Sequence, residues 1–221
     1  MQKFDDDGLW NCPTLATDNA GPGPRQMWSG HVMKDITIFD NFLSDDMLCD
    51  TLKFFNPPKN SAGTIPQGNW YYKNSSLSLK ERKKKQQNVF WAMSLTTFPL
   101  FTDIILKHLE SKTGKRFELL DVYANGQTVG QDGTWHFDDP EPGSMYTFLL
   151  YMTSTPETIN STNCNFFGGY TKFKLNRMIV DVEPITNRGV LFKSKLIHVG
   201  LSPLYQNSLR VSIAYKLKEI V

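Results

Sequence analysis

The chain has 221 residues, 40% of them hydrophobic and 13% aromatic, enough for a sizeable core within one domain. Its formal net charge of +2 is too near neutral to imply nucleic acid by itself. No stretch is long and apolar enough to span a membrane.

Met1 to Asp7 has no apolar core, so no secretory signal is visible and a cytoplasmic protein is expected. Cys12, Cys49 and Cys164 have no metal-ribbon or CxxC spacing, and an odd, scattered set fits a reducing compartment. Asn74-Ser75-Ser76 and Asn160-Ser161-Thr162 match glycosylation sequons that an intracellular chain would not use. Residues 1–33 read as irregular, because Gly21-Pro22-Gly23-Pro24 opposes any regular element. Ile36–Phe39 reads as a short strand. Ser44 then caps a helix to about residue 55, with Asp45 and Asp46 at its positive end and Leu48, Leu52 and Phe55 as its apolar stripe. Pro57-Pro58 stops it.

Residues 57–80 read as a long loop carrying the aromatic cluster Trp70-Tyr71-Tyr72, a candidate for substrate contact. The basic run Lys80–Lys85 is read as a solvated face, since no second basic cluster flanks it. A helix is expected from near Pro99 to Lys112, with Phe101, Ile105 and Leu109 on one face and Gly114 as its C-cap. From Gly114 onward the pattern changes to short apolar or alternating runs: 117–123, 146–152, 170–173, 178–182, 190–192, 196–198 and 209–216. Turn signals such as Asn125-Gly126, Gly168-Gly169 and Asn187-Arg188-Gly189 separate them, which reads as a sandwich, barrel or jelly roll.

The chemistry-bearing residues lie in this β-rich half. His136-Phe137-Asp138 is an i, i+2 pair, which on a strand puts both polar side chains on one face. His198 closes the run Gly189–His198, read as a strand, and Arg210 opens another alternating run to Tyr215. Two histidines and a carboxylate are the ligands of the facial triad that holds non-haem Fe(II). A lone His-x-Asp is weak, and the combination carries the argument. His31 and His108 lack such a context.

The series His136-x-Asp138, Gly168–Phe173, Pro184–Phe192, His198 and Arg210-x-Ser212 resembles a 2-oxoglutarate/Fe(II)-dependent dioxygenase, more narrowly the compact prolyl 4-hydroxylase-like branch found in bacteria and viruses. The entry segment Phe39–Ser44 is also similar, so the resemblance covers about residues 34–219 of a single domain spanning 34–221. It implies a mainly β fold with flanking α elements: a double-stranded β-helix, the cupin-like jelly roll, with N-terminal helices packed on the major sheet. It also implies Fe(II) on His136, Asp138 and His198, with 2-oxoglutarate and O2 as co-substrates and ascorbate as an accessory reductant. Arg210 and Ser212 would bind the distal carboxylate of 2-oxoglutarate. Tyr151 is either a further hydrogen-bond partner of that carboxylate or a core aromatic with a satisfied hydroxyl. Tyr123 and Thr147 match pocket-lining positions.

One departure concerns spacing. The family's basic residue usually follows the distal histidine by nine or ten positions, whereas here the separation is 210 − 198 = 12, which a longer turn through Ser202–Asn207 absorbs. The carboxylate Asp138, which related halogenases lack, points to hydroxylation. The expected substrate is a prolyl residue of a protein or peptide, with Trp70, Tyr71, Tyr72 and the stretch 153–167 as candidate contacts. Two alternatives stand beside it. One is the same chemistry on a free amino acid, a small metabolite or a nucleobase. The other is a non-catalytic metal-binding jelly-roll module, in which Cys164 would supply a fourth ligand for a closed zinc site. Oligomeric state is open.

Overall fold

A computed structural model describes residues 35–55, 68–74, 89–139, 143–152, 168–175, 178–206 and 208–220. The N-terminal segment 1–33, Pro57-Pro58, the basic run Lys80–Lys85 and the stretch 153–167 with Cys164 lie outside the described residues.

Among the described residues, ten strands and two α-helices follow one another in the order β1 (Ile36–Phe39), α1 (Asp45–Phe55), β2 (Tyr71–Asn74), β3 (Phe90–Ser94), α2 (Leu106–Thr113), β4 (Arg116–Gln127), β5 (Met145–Tyr151), β6 (Thr171–Leu175), β7 (Met178–Val182), β8 (Gly189–Lys193), β9 (His198–Gly200) and β10 (Arg210–Ile220). They build two antiparallel sheets, a seven-stranded one in the order β1-β8-β5-β10-β4-β3-β2 and a three-stranded one in the order β7-β6-β9. This is the jelly roll expected from the sequence, with the helices on the outer face of the larger sheet.

Period-two alternation sorts the side chains of the large sheet. Tyr146, Phe148 and Leu150 of β5, Val122 and Ala124 of β4, and Val211, Ile213, Tyr215 and Leu217 of β10 face a core shared with the helices. The intervening Leu149 and Tyr151 of β5 and Ala214 of β10 face a second core between the sheets, with Phe173, Val190 and Phe192. Each strand is thus apolar toward the helices and mixed toward the interior of the roll, so a register slip of one residue would exchange the two faces.

The helices meet most of their sequence expectations. Leu48 N–H donates to Ser44 O at 2.8 Å where α1 starts. Its most buried residues are Thr51 and Phe54, while Leu48, Leu52 and Phe55 pack at the edge of the core. The buried face is therefore rotated from the expected stripe, because Phe54 inserts between Phe98 and Phe101, both at 4.8 Å between ring centroids. A π-helical segment, Leu100–Ile105, leads into α2. Phe101, Ile105 and Leu109 are fully buried along it, and Gly114 ends it at φ 66°.

Three strand expectations change. Tyr71–Asn74, expected in a loop, is an edge strand, and its neighbour Phe90–Ser94 had no place in the sequence reading. The run Gly189–His198 is not one strand. It breaks in a turn at Ser194-Lys195-Leu196, where Leu196 N–H donates to Lys193 O at 2.9 Å, and His198 opens β9 instead of closing β8.

Asn187 ties the roll to the helical layer. It sits at φ 64°, and its side chain accepts from Leu43 N–H at 2.7 Å and donates to Leu43 O at 2.9 Å. Its own carbonyl accepts from Phe42 N–H at 2.9 Å. Asn187→Ala is expected to lower the free energy of unfolding by about 2–4 kcal/mol in urea titrations, since two buried backbone groups lose their partners. A loss below about 0.5 kcal/mol, the range of ordinary surface substitutions, would contradict this clamp.

Candidate metal and co-substrate site

The site lies inside the roll, where the small sheet closes over the large one. His136 forms an isolated bridge with His198: His136 N–H donates to His198 O at 3.0 Å, and His198 N–H donates back to His136 O at 2.8 Å. Asp138 is anchored by its N–H to Ser194 O at 2.9 Å. The His-x-Asp pair therefore sits on a single bridge, not on the full strand that its spacing suggested. Local extension still delivers both side chains to one place.

The ligand atoms of His136, Asp138 and His198 lie within 4.8 Å of one another. His136 Nε2 is 3.5 Å from Asp138 Oδ1, and His198 Nε2 is 3.7 Å from Asp138 Oδ2. The Nδ1 of His136 pairs with Thr134 O at 2.8 Å and that of His198 with Leu196 O at 2.9 Å. A ring nitrogen tied to a backbone carbonyl carries a proton, so Nε2 is the nitrogen each ring offers to a metal at a shared point. Burial holds the His198 imidazole neutral, with its pKa lowered to about 4. Burial alone would raise the Asp138 carboxyl, but the Lys216 ammonium, with His136 and His198, holds it well below the usual carboxylate range. The neutral imidazole of His198 and the ionised carboxylate of Asp138 are in the protonation states a divalent metal needs. Among the described residues no fourth ligand joins the three, which fits an open site better than a closed structural zinc site.

Arg210 is 2% exposed, at the start of β10 on its inner face. Its Nε donates to Gly169 O at 2.6 Å, Nη1 to Gln127 Oε1 at 2.7 Å and Ser212 Oγ at 3.2 Å, and Nη2 to Thr171 Oγ1 at 2.9 Å. Gly169 O is turned inward because Gly168 and Gly169 both take positive φ, 77° and 68°. A Cβ on Gly168 would come within 2.6 Å of the Leu204 side chain, so this turn requires glycine. Every one of these partners is neutral. Among the described residues no carboxylate meets this buried cation, a costly arrangement unless an anion completes it.

Hydrogen counting shows how an anion would be met. Four of the five guanidinium N–H bonds are committed, which leaves one on Nη2. Thr171 Oγ1 already accepts from Arg210 and, at 2.7 Å, from Tyr151 OH, so its own hydrogen is free to donate. Ser212 Oγ likewise accepts from Arg210 and keeps its hydrogen. The receptor is thus one N–H and two hydroxyls, with the fully buried Tyr151 acting behind Thr171. A cavity of about 220 Å³ joins Arg210 to the three metal ligands.

The remaining candidates separate clearly. Thr147, fully buried on β5, donates to Asp138 Oδ2 at 2.6 Å and so serves the metal carboxylate. Tyr123 lines the cavity on β4, beside Lys216. Trp70 packs against Phe55, with ring centroids 6.1 Å apart, on the helix side of the sheet. Tyr72 packs against Trp91 in a tilted pair, ring centroids 5.0 Å apart, and its hydroxyl accepts from Gln131 Nε2 at 3.2 Å. Tyr71 pairs with Ala92, which pairs with the cavity residue Asn125, so it lies on the cavity face of the edge strand, half exposed. None of these three aromatics lines the cavity. Gln127, Thr171 and Lys216 are site residues that the sequence reading did not single out.

No protein-family model matches the sequence, and no curated protein matches it. Solved structures do match in fold. An oxidoreductase of the 2OG-Fe(II) oxygenase family from Burkholderia pseudomallei superposes with a TM-score of 0.58 at 9% identity, over 84% of this chain and 86% of that one. A prolyl hydroxylase from Trichoplax adhaerens, in complex with a peptide fragment of the hypoxia-inducible-factor oxygen degradation domain, gives 0.50 at 15% identity, over 85% and 84%. A non-haem α-ketoglutarate-dependent epimerase from nogalamycin biosynthesis gives 0.52 at 10% identity, over 83% and 77%. The chain therefore has the jelly-roll fold of the 2-oxoglutarate/Fe(II) oxygenases.

The buried neutral imidazole sets a pH dependence. His198 stays unprotonated in the fold down to about pH 4 and takes a proton near 6.5 when unfolded. Its contribution to the stability of the chelator-treated protein is therefore complete above about pH 6.5 and is lost as pH falls toward 4. Thermal melts of wild type and His198→Gln across this range should converge on the acid side and diverge as pH rises. A constant difference between the two melts would contradict the assignment.

Proposed function

We propose that the protein is an Fe(II)- and 2-oxoglutarate-dependent oxygenase that hydroxylates an unactivated carbon, with a prolyl residue of a protein or peptide as substrate. The observation that carries the reading is the pairing of an open His-Asp-His site with a buried Arg210, at the other end of one cavity, that no carboxylate among the described residues meets. That pairing suits a ligand with a chelating end and a distal carboxylate, which is the chemistry of 2-oxoglutarate. A relic metal site would give no reason to keep Arg210 buried among neutral partners.

His136, Asp138 and His198 would hold the iron, and Arg210, Thr171 and Ser212 would hold the distal carboxylate. Bound together, iron, 2-oxoglutarate and O2 supply C–H oxidation coupled to decarboxylation, releasing succinate and CO2. The protein's own contribution is geometric. The fixed tautomers aim both Nε2 atoms, Thr147 and Lys216 hold Asp138, and the apolar walls of the roll, such as Leu149, limit water around the reacting centre.

A peptide substrate is supported by the open mouth of the cavity and by Tyr71 and Phe90 on the cavity side of the sheet edge. The Trichoplax relative of the same fold was solved with a peptide, and the epimerase shows that one fold serves more than one outcome. Ascorbate is expected to sustain turnover as an accessory reductant.

Proline-rich peptides incubated with Fe(II), 2-oxoglutarate and O2 should gain one oxygen by mass spectrometry, with succinate formed in equal amount. Arg210→Met should raise the KM for 2-oxoglutarate by at least about tenfold, as expected when a charged hydrogen-bonding partner is lost. Succinate formation with no oxygen on any proline, together with turnover of a free amino acid or nucleobase, would move the substrate to that class.

A further inference from the structure

Lys216 is a charged residue beside the metal ligands, and holding Asp138 does not by itself require its positive charge, since Thr147 already bonds the same oxygen. It follows Arg210 by six positions on β10, so it shares the strand's inner face. The register between β10 and β4 slips just beyond it, between Lys216 and Leu217, where Leu120 of β4 is skipped in the pairing. Its Nζ donates to Asp138 Oδ2 at 2.5 Å, and Thr147 Oγ1 donates to the same oxygen at 2.6 Å. Oδ2 is therefore occupied by two donors. Oδ1, which faces His136 at 3.5 Å, is the oxygen left for a metal.

The electrostatic consequence is larger than the geometric one. A buried ammonium one carboxylate away from a divalent cation repels it through a low-dielectric interior. With metal alone, the pocket holds two positive charges on the metal, one on Lys216 and a single compensating carboxylate. A dianionic 2-oxo acid beside both cations reverses that balance. Arg210 attracts the far end of the same ligand but lies across the cavity from the metal ligands, so it affects the metal less.

We propose that Lys216 makes metal and 2-oxo acid binding mutually dependent: it weakens binding of the metal alone and strengthens binding of the metal together with the dianion. This rests on the 2-oxoglutarate reading given above. Coupling of this kind is reciprocal, so the metal tightens the oxo acid by the factor by which the oxo acid tightens the metal. The protein would then hold little redox-active iron until its co-substrate is present.

The test is titration of the metal-free full chain with Mn(II), reading free Mn(II) by electron paramagnetic resonance, with and without 2-oxoglutarate. Wild type, Lys216→Met and Lys216→Arg would be compared, with circular dichroism to check folding. In wild type, 2-oxoglutarate should tighten Mn(II) by at least about tenfold, within the usual range of coupling. Lys216→Met should bind Mn(II) alone more tightly than wild type and lose most of that factor. Lys216→Arg, which keeps the charge, should retain it. If Lys216→Met binds Mn(II) alone more weakly, or keeps the full factor, Lys216 only orients Asp138 and the proposal is overturned. Wild type that binds Mn(II) tightly with no response to 2-oxoglutarate would overturn the co-substrate reading itself, and the coupling with it.

Discussion

The buried guanidinium of Arg210 is the constraint on which the site depends. An ionised group inside a protein is tolerated when it is paired or fully hydrogen-bonded, and here the bonds are present while no described residue supplies the counter-charge. Holding it takes four elements: Gln127 at the end of β4, the paired glycines before β6, Thr171 at its start, and Ser212 two residues along β10. Those contacts join the small sheet to the large one at the mouth of the roll. The same contacts leave one N–H and two hydroxyl hydrogens facing the cavity. The bonds that make the cation tolerable therefore also shape the receptor for an anion.

The other end of the cavity is balanced differently. Asp138 has its counter-charge in Lys216 and a hydroxyl donor in Thr147, so the ligand carboxylate is ionised and oriented before any metal arrives. One end of the cavity is thus neutral overall and the other positive. A ligand that chelates at the first and carries a carboxylate to the second fits both. The shared fold of an oxidoreductase, a prolyl hydroxylase and an epimerase identifies the scaffold, and the residues inside this chain's roll carry the case for the chemistry.

Much of this was legible in the sequence because period two is a local signal. Alternation in Arg210–Lys216 and the apolar runs of β5 and β8 gave a sandwich, barrel or jelly roll, the family resemblance narrowed this to the jelly roll, and spacing with residue type gave His136, Asp138, His198 and Arg210. Gln127 and Thr171 were not legible. A glutamine at a strand end and a threonine at a strand start look like ordinary β residues, and cross-sheet closure alone brings them to Arg210. Lys216 was within reach of the same alternation that placed Ser212, but its partner Asp138 lies on a separate segment whose position only the fold supplies. The edge pair β2 and β3 was missed for a similar reason. Tyr71–Asn74 is short and borders a turn-rich stretch, and Phe90–Ser94 becomes a strand by pairing with β4. The break after β8 was half legible: 190–192 and 196–198 stand as separate apolar runs, yet Gly189–His198 also reads as one strand because Ser194-Lys195-Leu196 contains neither glycine nor proline.

The most direct test of the account is an anaerobic titration of the Fe(II)-loaded protein with 2-oxoglutarate, watched for the visible charge-transfer band of a chelated 2-oxo acid. Asp138→Ala and Arg210→Ala would be run alongside. The account predicts a saturable band in wild type, its loss in Asp138→Ala because the metal is not held, and a much higher midpoint in Arg210→Ala because the distal carboxylate has lost its partner. Tight Fe(II) binding with no band at any concentration of 2-oxoglutarate would contradict it.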